Sequence, residues 1–197
     1  MGVEHSLARA MLEDAHETFV DNVGGSTIEE ALSAAGGYRS IVGLVKHVAG
    51  WSAVYHSYAF DDQPRHWDAT DWPRGLRDSV DPTQAYLDEL LAWFERTYER
   101  WRSSVAEPVA LDLPRPLHWG ASAPLGQIAA MVSGHWCYHA GEINMILAIE
   151  RSEAWEYGEE VEENHISTLG HGVRGPWMSD EGVGRHEARL REPRRDT

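Results

Sequence analysis

Leu125-Gly126-Gln127-Ile128-Ala129-Ala130-Met131-Val132-Ser133-Gly134-His135-Trp136-Cys137-Tyr138-His139-Ala140-Gly141-Glu142-Ile143-Asn144-Met145-Ile146-Leu147-Ala148-Ile149-Glu150-Arg151 is the stretch on which the fold turns. Ile128, Met131, Val132, His135, His139, Met145, Ile146 and Ile149 recur mostly at steps of three and four, the period of a helix with one core-facing side. Ser122 is placed to cap this helix, with Pro124 near its start. A helix of this length needs partners of similar length, and the rest of the chain supplies three.

The first runs from about Ser6 to Val23, with Leu7, Met11, Ala15, Phe19 and Val23 on one face, and Gly24-Gly25 ends it. A short helical piece follows from Thr27 to Ala34, capped by Ser26 or Thr27, with Glu29-Glu30 at the positive end of the dipole. The second long helix starts at Ser40 as N-cap and reaches Phe60, with Leu44, Val48, Trp51, Tyr55 and Tyr58 as its stripe and His47 within it. Asp81-Pro82 opens the third, to about Ser103, along Tyr86, Leu90, Trp93, Phe94, Thr97 and Trp101. No strand-like alternation competes, so residues 1–151 are expected to form an all-α four-helix bundle. The segment 61–80 reads as an ordered loop, and 105–123 as a crossover carrying Pro108, Pro114, Pro116 and Gly120 around His118-Trp119. Residues 152–197 form an acidic, partly apolar C-terminal extension, expected to pack on the bundle or on a second subunit.

Composition narrows the function classes. The chain has 197 residues with 17 basic against 32 acidic side chains, a net charge of −15. Nucleic-acid binding needs clustered Lys and Arg to displace counterions, and here Lys46 is the only lysine, so no nucleic-acid partner is expected. No apolar run approaches a membrane span, and Met1–His5 carries no basic region followed by an apolar one. With a single cysteine, Cys137, the chain has no internal disulfide, and a cytoplasmic location follows. The pattern Gly170-His171-Gly172-Val173-Arg174-Gly175 matches a dinucleotide fingerprint in spelling but lacks a preceding strand, and reads as a turn-rich loop. Serine-hydrolase, phosphate-loop, H-E-x-x-H and C-x-x-C signatures are absent from the sequence.

The chemistry concentrates in histidines. His135 and His139 are four apart on one helix, which sets both imidazoles on one face within reach of a single metal ion. His47 lies on the apolar stripe of another helix and supplies a third ligand, so that His47, His135 and His139 make a facial set leaving coordination positions for water or substrate. Glu142, three residues past His139, shares that face; it is expected to orient a ligand, bind the metal weakly or act as a base. His56 is nine residues after His47, which turns it to the opposite side of the helix. Cys137 lies about 200° round the helix from His135 and is expected to be a small buried hydrophobe. His165 and His171, with Arg174 and Trp177 nearby, are candidates for closing over the open side of the metal. Three imidazoles accept zinc or nickel first, and also iron, manganese or cobalt.

The order of these elements, His47-Val48-Ala49-Gly50-Trp51 on the second long helix followed by His135-Trp136-Cys137-Tyr138-His139-Ala140-Gly141-Glu142 on the last, resembles the DinB/YfiT superfamily of four-helix-bundle metalloenzymes over roughly residues 6–151. The resemblance implies an up-up-down-down bundle, one divalent metal on His47, His135 and His139, and a homodimer. Some members resemble transferases or isomerases that use mycothiol or bacillithiol. A metal-dependent transferase acting with a small thiol and a small-molecule substrate is therefore the expected function. Related maleylpyruvate isomerases carry Glu where this chain has His135, which argues against that reaction. Two other readings of the residues stand beside it: a dimeric, metal-stabilised binding or stress-response module without catalysis, and hydrogen-bonded core histidines with no metal.

Overall fold

The structure, a computed structural model, describes residues 2–34, 39–78, 83–106 and 108–151, all within the unit Met1–Ala154. The predicted extension 152–197, with His165 and His171, and the Asp81-Pro82 cap lie outside the described residues.

Helix α1 spans Val3–Gly24, α2 Ile28–Leu32, α3 Ile41–Phe60, α4 Gln84–Ala106 and α5 Leu125–Glu150, with a short 3-10 turn at Trp67–Ala69. Helix starts follow side-chain chemistry where the chain provides it. The Thr27 hydroxyl accepts the Glu30 N–H while the Glu30 carboxylate accepts the Thr27 N–H, a reciprocal box at the head of α2. Ser40 accepts from Gly43 N–H at the head of α3. Thr83 accepts from Tyr86 N–H at the head of α4. Ser122 does not cap α5 as expected: it lies in strand β2 (Ser122–Pro124), which pairs antiparallel with β1 (Pro114–Pro116). This hairpin replaces the irregular crossover. Leu117 O accepts Gly120 N–H, Leu117 N–H donates to Ala121 O, and Gly120 sits at φ +87°, the left-handed residue that closes a three-residue hairpin loop.

The bundle is all-α in its core, as expected, but the helix directions correct the up-up-down-down expectation. Helix α1 packs on α4 and α5, and α3 on the same two. Phe19 meets Phe94, His16 stacks on Tyr98, and His5 Nε2 hydrogen-bonds Val109 O, so α1 and α4 run opposite ways. Ser52 meets Trp136, and Ser33 meets Glu150, so α5 runs against α3. Asn22 donates to Ala140 O and Arg151 to Gly25 O, which aligns α5 with α1. Trp101 meets Ser52 and His56 meets Ser104, which aligns α4 with α3. The order is up-down-down-up. The connection from α3 to α4 is the long one because parallel neighbours require the chain to travel back along a helix of about 30 Å.

The core seam carries one polar anchor. Ser52, fully buried on α3, accepts the Trp136 indole N–H at Oγ (2.7 Å) and the Trp101 indole N–H at its carbonyl (3.0 Å), and donates to Val48 O. Two large rings, each 0 % exposed, thus converge on one residue from α4 and α5. Gly50, two residues earlier, lies under the loop 61–78: a Cβ there would stand 2.5–2.7 Å from the rings of Trp67 and Trp72. Trp72 donates its indole N–H to Trp67 O at 2.8 Å and packs on Trp93 of α4, which makes the loop an ordered cover. Some stripe positions face outward against expectation. Leu7 is 50 %, Met145 62 % and Ile149 56 % exposed, and Cys137 is exposed instead of buried. The inward face of α5 runs through Val132, Trp136, His139, Ile143, Ile146 and Leu147, and Met145 and Ile149 lie off that face. Among the described residues no helix is long and apolar enough to cross a membrane.

Two outcomes follow from this packing. Ser52→Ala strands the Trp136 N–H in a fully buried seam and lowers unfolding free energy by about 1–3 kcal/mol, measurable by urea denaturation. Gly50→Ala gains about 1 kcal/mol of helix propensity yet is destabilising overall, because the two rings must shift at a cost of about 1–3 kcal/mol; a raised melting temperature would contradict the close approach.

Candidate metal centre

Helix α3 brings His47 to the seam and α5 brings His135 and His139, one turn apart. Because α3 and α5 are antiparallel and Ser52 meets Trp136, His47 falls level with the α5 pair. Its Nε2 lies 3.2 Å from His135 Nε2, which lies 3.0 Å from His139 Nε2. One ligand atom from each residue falls within 4.8 Å of the others, so the structure brings together all three histidines singled out from the sequence. His139 is buried and the other two are partly buried.

The fourth residue of the set is at hand as well. His139 Nδ1 and the Glu142 carboxylate make a very short contact, in which the ring N–H donates to the acid. That bond places the His139 proton on Nδ1 and turns a lone pair at Nε2 toward the other two rings. Burial pushes the pKa of His47 down to about 4, helped by the charges of His139 and Arg39, with Glu142 opposing. Burial pushes His135 to about 3, helped by His139 and His47, again with Glu142 opposing. Both rings are therefore neutral at neutral pH, the form that ligates. His135 Nδ1 is buried with no hydrogen-bond partner among the described residues.

The three Nε2 atoms converge on one point, where each ring can turn a lone pair toward a shared ion. Metal–nitrogen bonds of about 2.0–2.1 Å at tetrahedral to octahedral angles separate ligand nitrogens by roughly 2.9–3.4 Å, and the two observed separations lie in that range. The donor set thus fits a borderline divalent ion held by imidazole, with a carboxylate behind one ring.

His56 is on the opposite side of α3, as its spacing requires. Arg100 donates to its Nδ1 at 3.3 Å, so its Nε2–H donates to Ser104 Oγ at 3.1 Å. Cys137 points away from the three rings' side of α5, its thiol pKa raised by desolvation and by Asp14. The sequence reading did not connect Trp51 with His66 and His118, which the loop and the hairpin bring against it. The only signal was the His118-Trp119 pair ahead of Gly120.

Comparison with known proteins adds one finding. A family model described as mycothiol S-transferase matches residues 7–147, which spans the whole described bundle apart from its ends. No curated protein and no solved structure matches the chain.

The pH dependence of stability has a separable part. Burial, with Arg100 adding and Asp61 and Asp71 opposing, holds His56 at about 4 in the folded chain, against about 6.5 when unfolded. Between those values the unfolded chain binds more protons, so this contribution is complete above pH 6.5 and is lost as pH falls toward 4. At pH 5 the loss is about 2 kcal/mol. His56→Gln therefore shows a smaller drop in melting temperature between pH 7 and pH 5 than wild type; an equal drop would mean that His56 does not titrate in this way.

Proposed function

The chain belongs to the mycothiol S-transferase family, and from that premise we propose that it is a divalent-metal-dependent transferase that activates mycothiol, or a thiol of that type, at His47, His135 and His139. The observation that carries this reading is the convergence of three Nε2 atoms, with the Glu142 carboxylate behind His139. A divalent ion bound there supplies Lewis-acid chemistry, lowering the pKa of a coordinated thiol toward neutrality.

The chain's own residues have distinct tasks. His47 and His135 are kept neutral by burial, so protons do not compete for their lone pairs at physiological pH. Glu142 acts as a positioning residue: it fixes the His139 tautomer and ring orientation and makes Nε2 a stronger donor. Its carboxylate is also the nearest group in the set able to take up the thiol proton and pass it on. An ion held by these three histidines alone would keep coordination open for the thiol, whereas a purely structural site is usually filled by four protein ligands. Zinc or nickel matches an all-imidazole set, and iron, manganese and cobalt are also accommodated.

Elemental analysis of full-length protein purified without an affinity tag tests the site. Wild type and His56→Ala are expected to hold about one divalent ion per chain, and His47→Ala and His139→Ala none while remaining folded. Glu142→Gln should weaken the ion by about 10–100-fold in chelator competition. Metal-loaded wild type should then consume mycothiol with a suitable electrophile, and His47→Ala should not. A metal-free wild type after incubation with zinc or nickel at neutral pH would return the three histidines to a structural role.

A further inference from the structure

Trp51 stands one helical turn beyond His47 on the same face of α3, with its indole 6.4 Å from the imidazole, centre to centre. Ring contacts continue away from the three histidines. Tyr55 lies at 5.6 Å from Trp51, Trp67 at 5.5 Å, His66 at 5.8 Å and His118 at 4.7 Å. This assembly differs from the core aromatics in two respects. Trp101 and Trp136 are fully buried with their indole N–H groups satisfied, whereas Trp51, Tyr55, Trp67 and His118 are only half-buried and His66 is exposed. In addition, His118 Nδ1 has no hydrogen-bond partner among the described residues. The wall is held from behind. Arg115 of β1 donates to Asp61 O at 2.6 Å and to Tyr58 O, which fastens the hairpin carrying His118 to the end of α3. Its rings are thus placed by the fold.

We propose that this half-open wall, centred on Trp51 and His118, binds the second substrate of the transfer, a flat and electron-poor conjugated electrophile. The inference rests on the transferase reading for its reaction, though not for its binding. An indole face is electron-rich, so it stacks best on an electron-poor π system, and electron-poor conjugated carbon is what a thiolate attacks. A polar group on that ligand can meet the imidazole of His118. In the addition this arrangement serves, a sulfur–carbon bond forms while the conjugated double bond's electron pair moves onto its electron-withdrawing group. The proton lost by the thiol ends on the same substrate, so neither a leaving group nor a redox partner is required.

The test is calorimetric titration of metal-loaded full-length protein, without thiol, using cinnamamide as a flat, slowly reacting probe and 3-phenylpropanamide as its saturated counterpart. Wild type should bind cinnamamide more tightly than the saturated amide. Trp51→Ala and His118→Ala should each weaken cinnamamide by about three- to tenfold, with metal content unchanged. Should Trp51→Ala fail to fold, Trp51→Leu and His118→Gln carry the same comparison. Equal affinity for the two amides, equal affinity in wild type and variants, or no binding at millimolar probe would overturn the proposal. Selective binding without thiol consumption would instead overturn the transferase reading and leave the wall standing.

Discussion

Ser52 is the point on which the arrangement depends. Two indole N–H groups, from Trp101 and Trp136, need acceptors in a fully buried seam, and one serine satisfies both, with its hydroxyl and its carbonyl. An indole left without a partner there would cost a few kcal/mol, so sliding α5 or α4 along α3 is penalised steeply. Apolar contacts alone tolerate such slips, since one methyl-lined groove resembles the next. Because Trp136 adjoins His135 and Ser52 lies just past His47, the same bonds that set the helix register also set the distance between imidazoles. A site requiring sub-ångström placement is built on rigid helices and inherits their precision.

Around that anchor the electrostatics work against the histidines' charge. The chain is strongly acidic, yet burial outweighs the general negative field, and His47 and His135 are held well below the usual imidazole range. Glu142 pulls the other way on both while binding His139 directly. Three imidazoles with Nε2 atoms turned toward one another form a donor set that a cation could share. His56, equally depressed, has its needs met by Arg100 and Ser104. The two kinds of buried histidine differ in whether the protein itself completes their hydrogen bonding.

Much of this was legible in the residues. The stripes on 41–60, 84–106 and 125–150 carry the core, and Ser40 and Thr27 cap as their side-chain chemistry suggests. The spacings of His135 to His139 and His47 to His56 predicted correctly which rings meet and which one faces away. Periodicity was a poorer guide near helix ends: Leu7, Met145 and Ile149 are exposed, while Ile146 and Leu147 carry the buried face of α5 to its end. Cys137 lies outside because the neighbouring Trp136 takes the inward position. The short hairpin escaped notice because three-residue strands made of prolines, small residues and one arginine have no alternation to detect.

Helix identity, helix faces and the histidine pair on α5 are local matters, governed by interactions within a few turns of chain, and amino-acid order alone settles them. The association of His47 with that pair was read from its place on the apolar stripe of the second long helix, and the family pattern has the same order. Helix direction was different. Up-up-down-down and up-down-down-up bundles bury the same stripes, and the choice rests on connections whose lengths permit either until packing selects one. The meeting of Trp51 with His66 and His118 likewise depends on how a loop and a hairpin from distant parts of the chain settle against α3. No periodicity records such contacts, because they are chosen by shape and hydrogen bonding between elements and only after each element has formed.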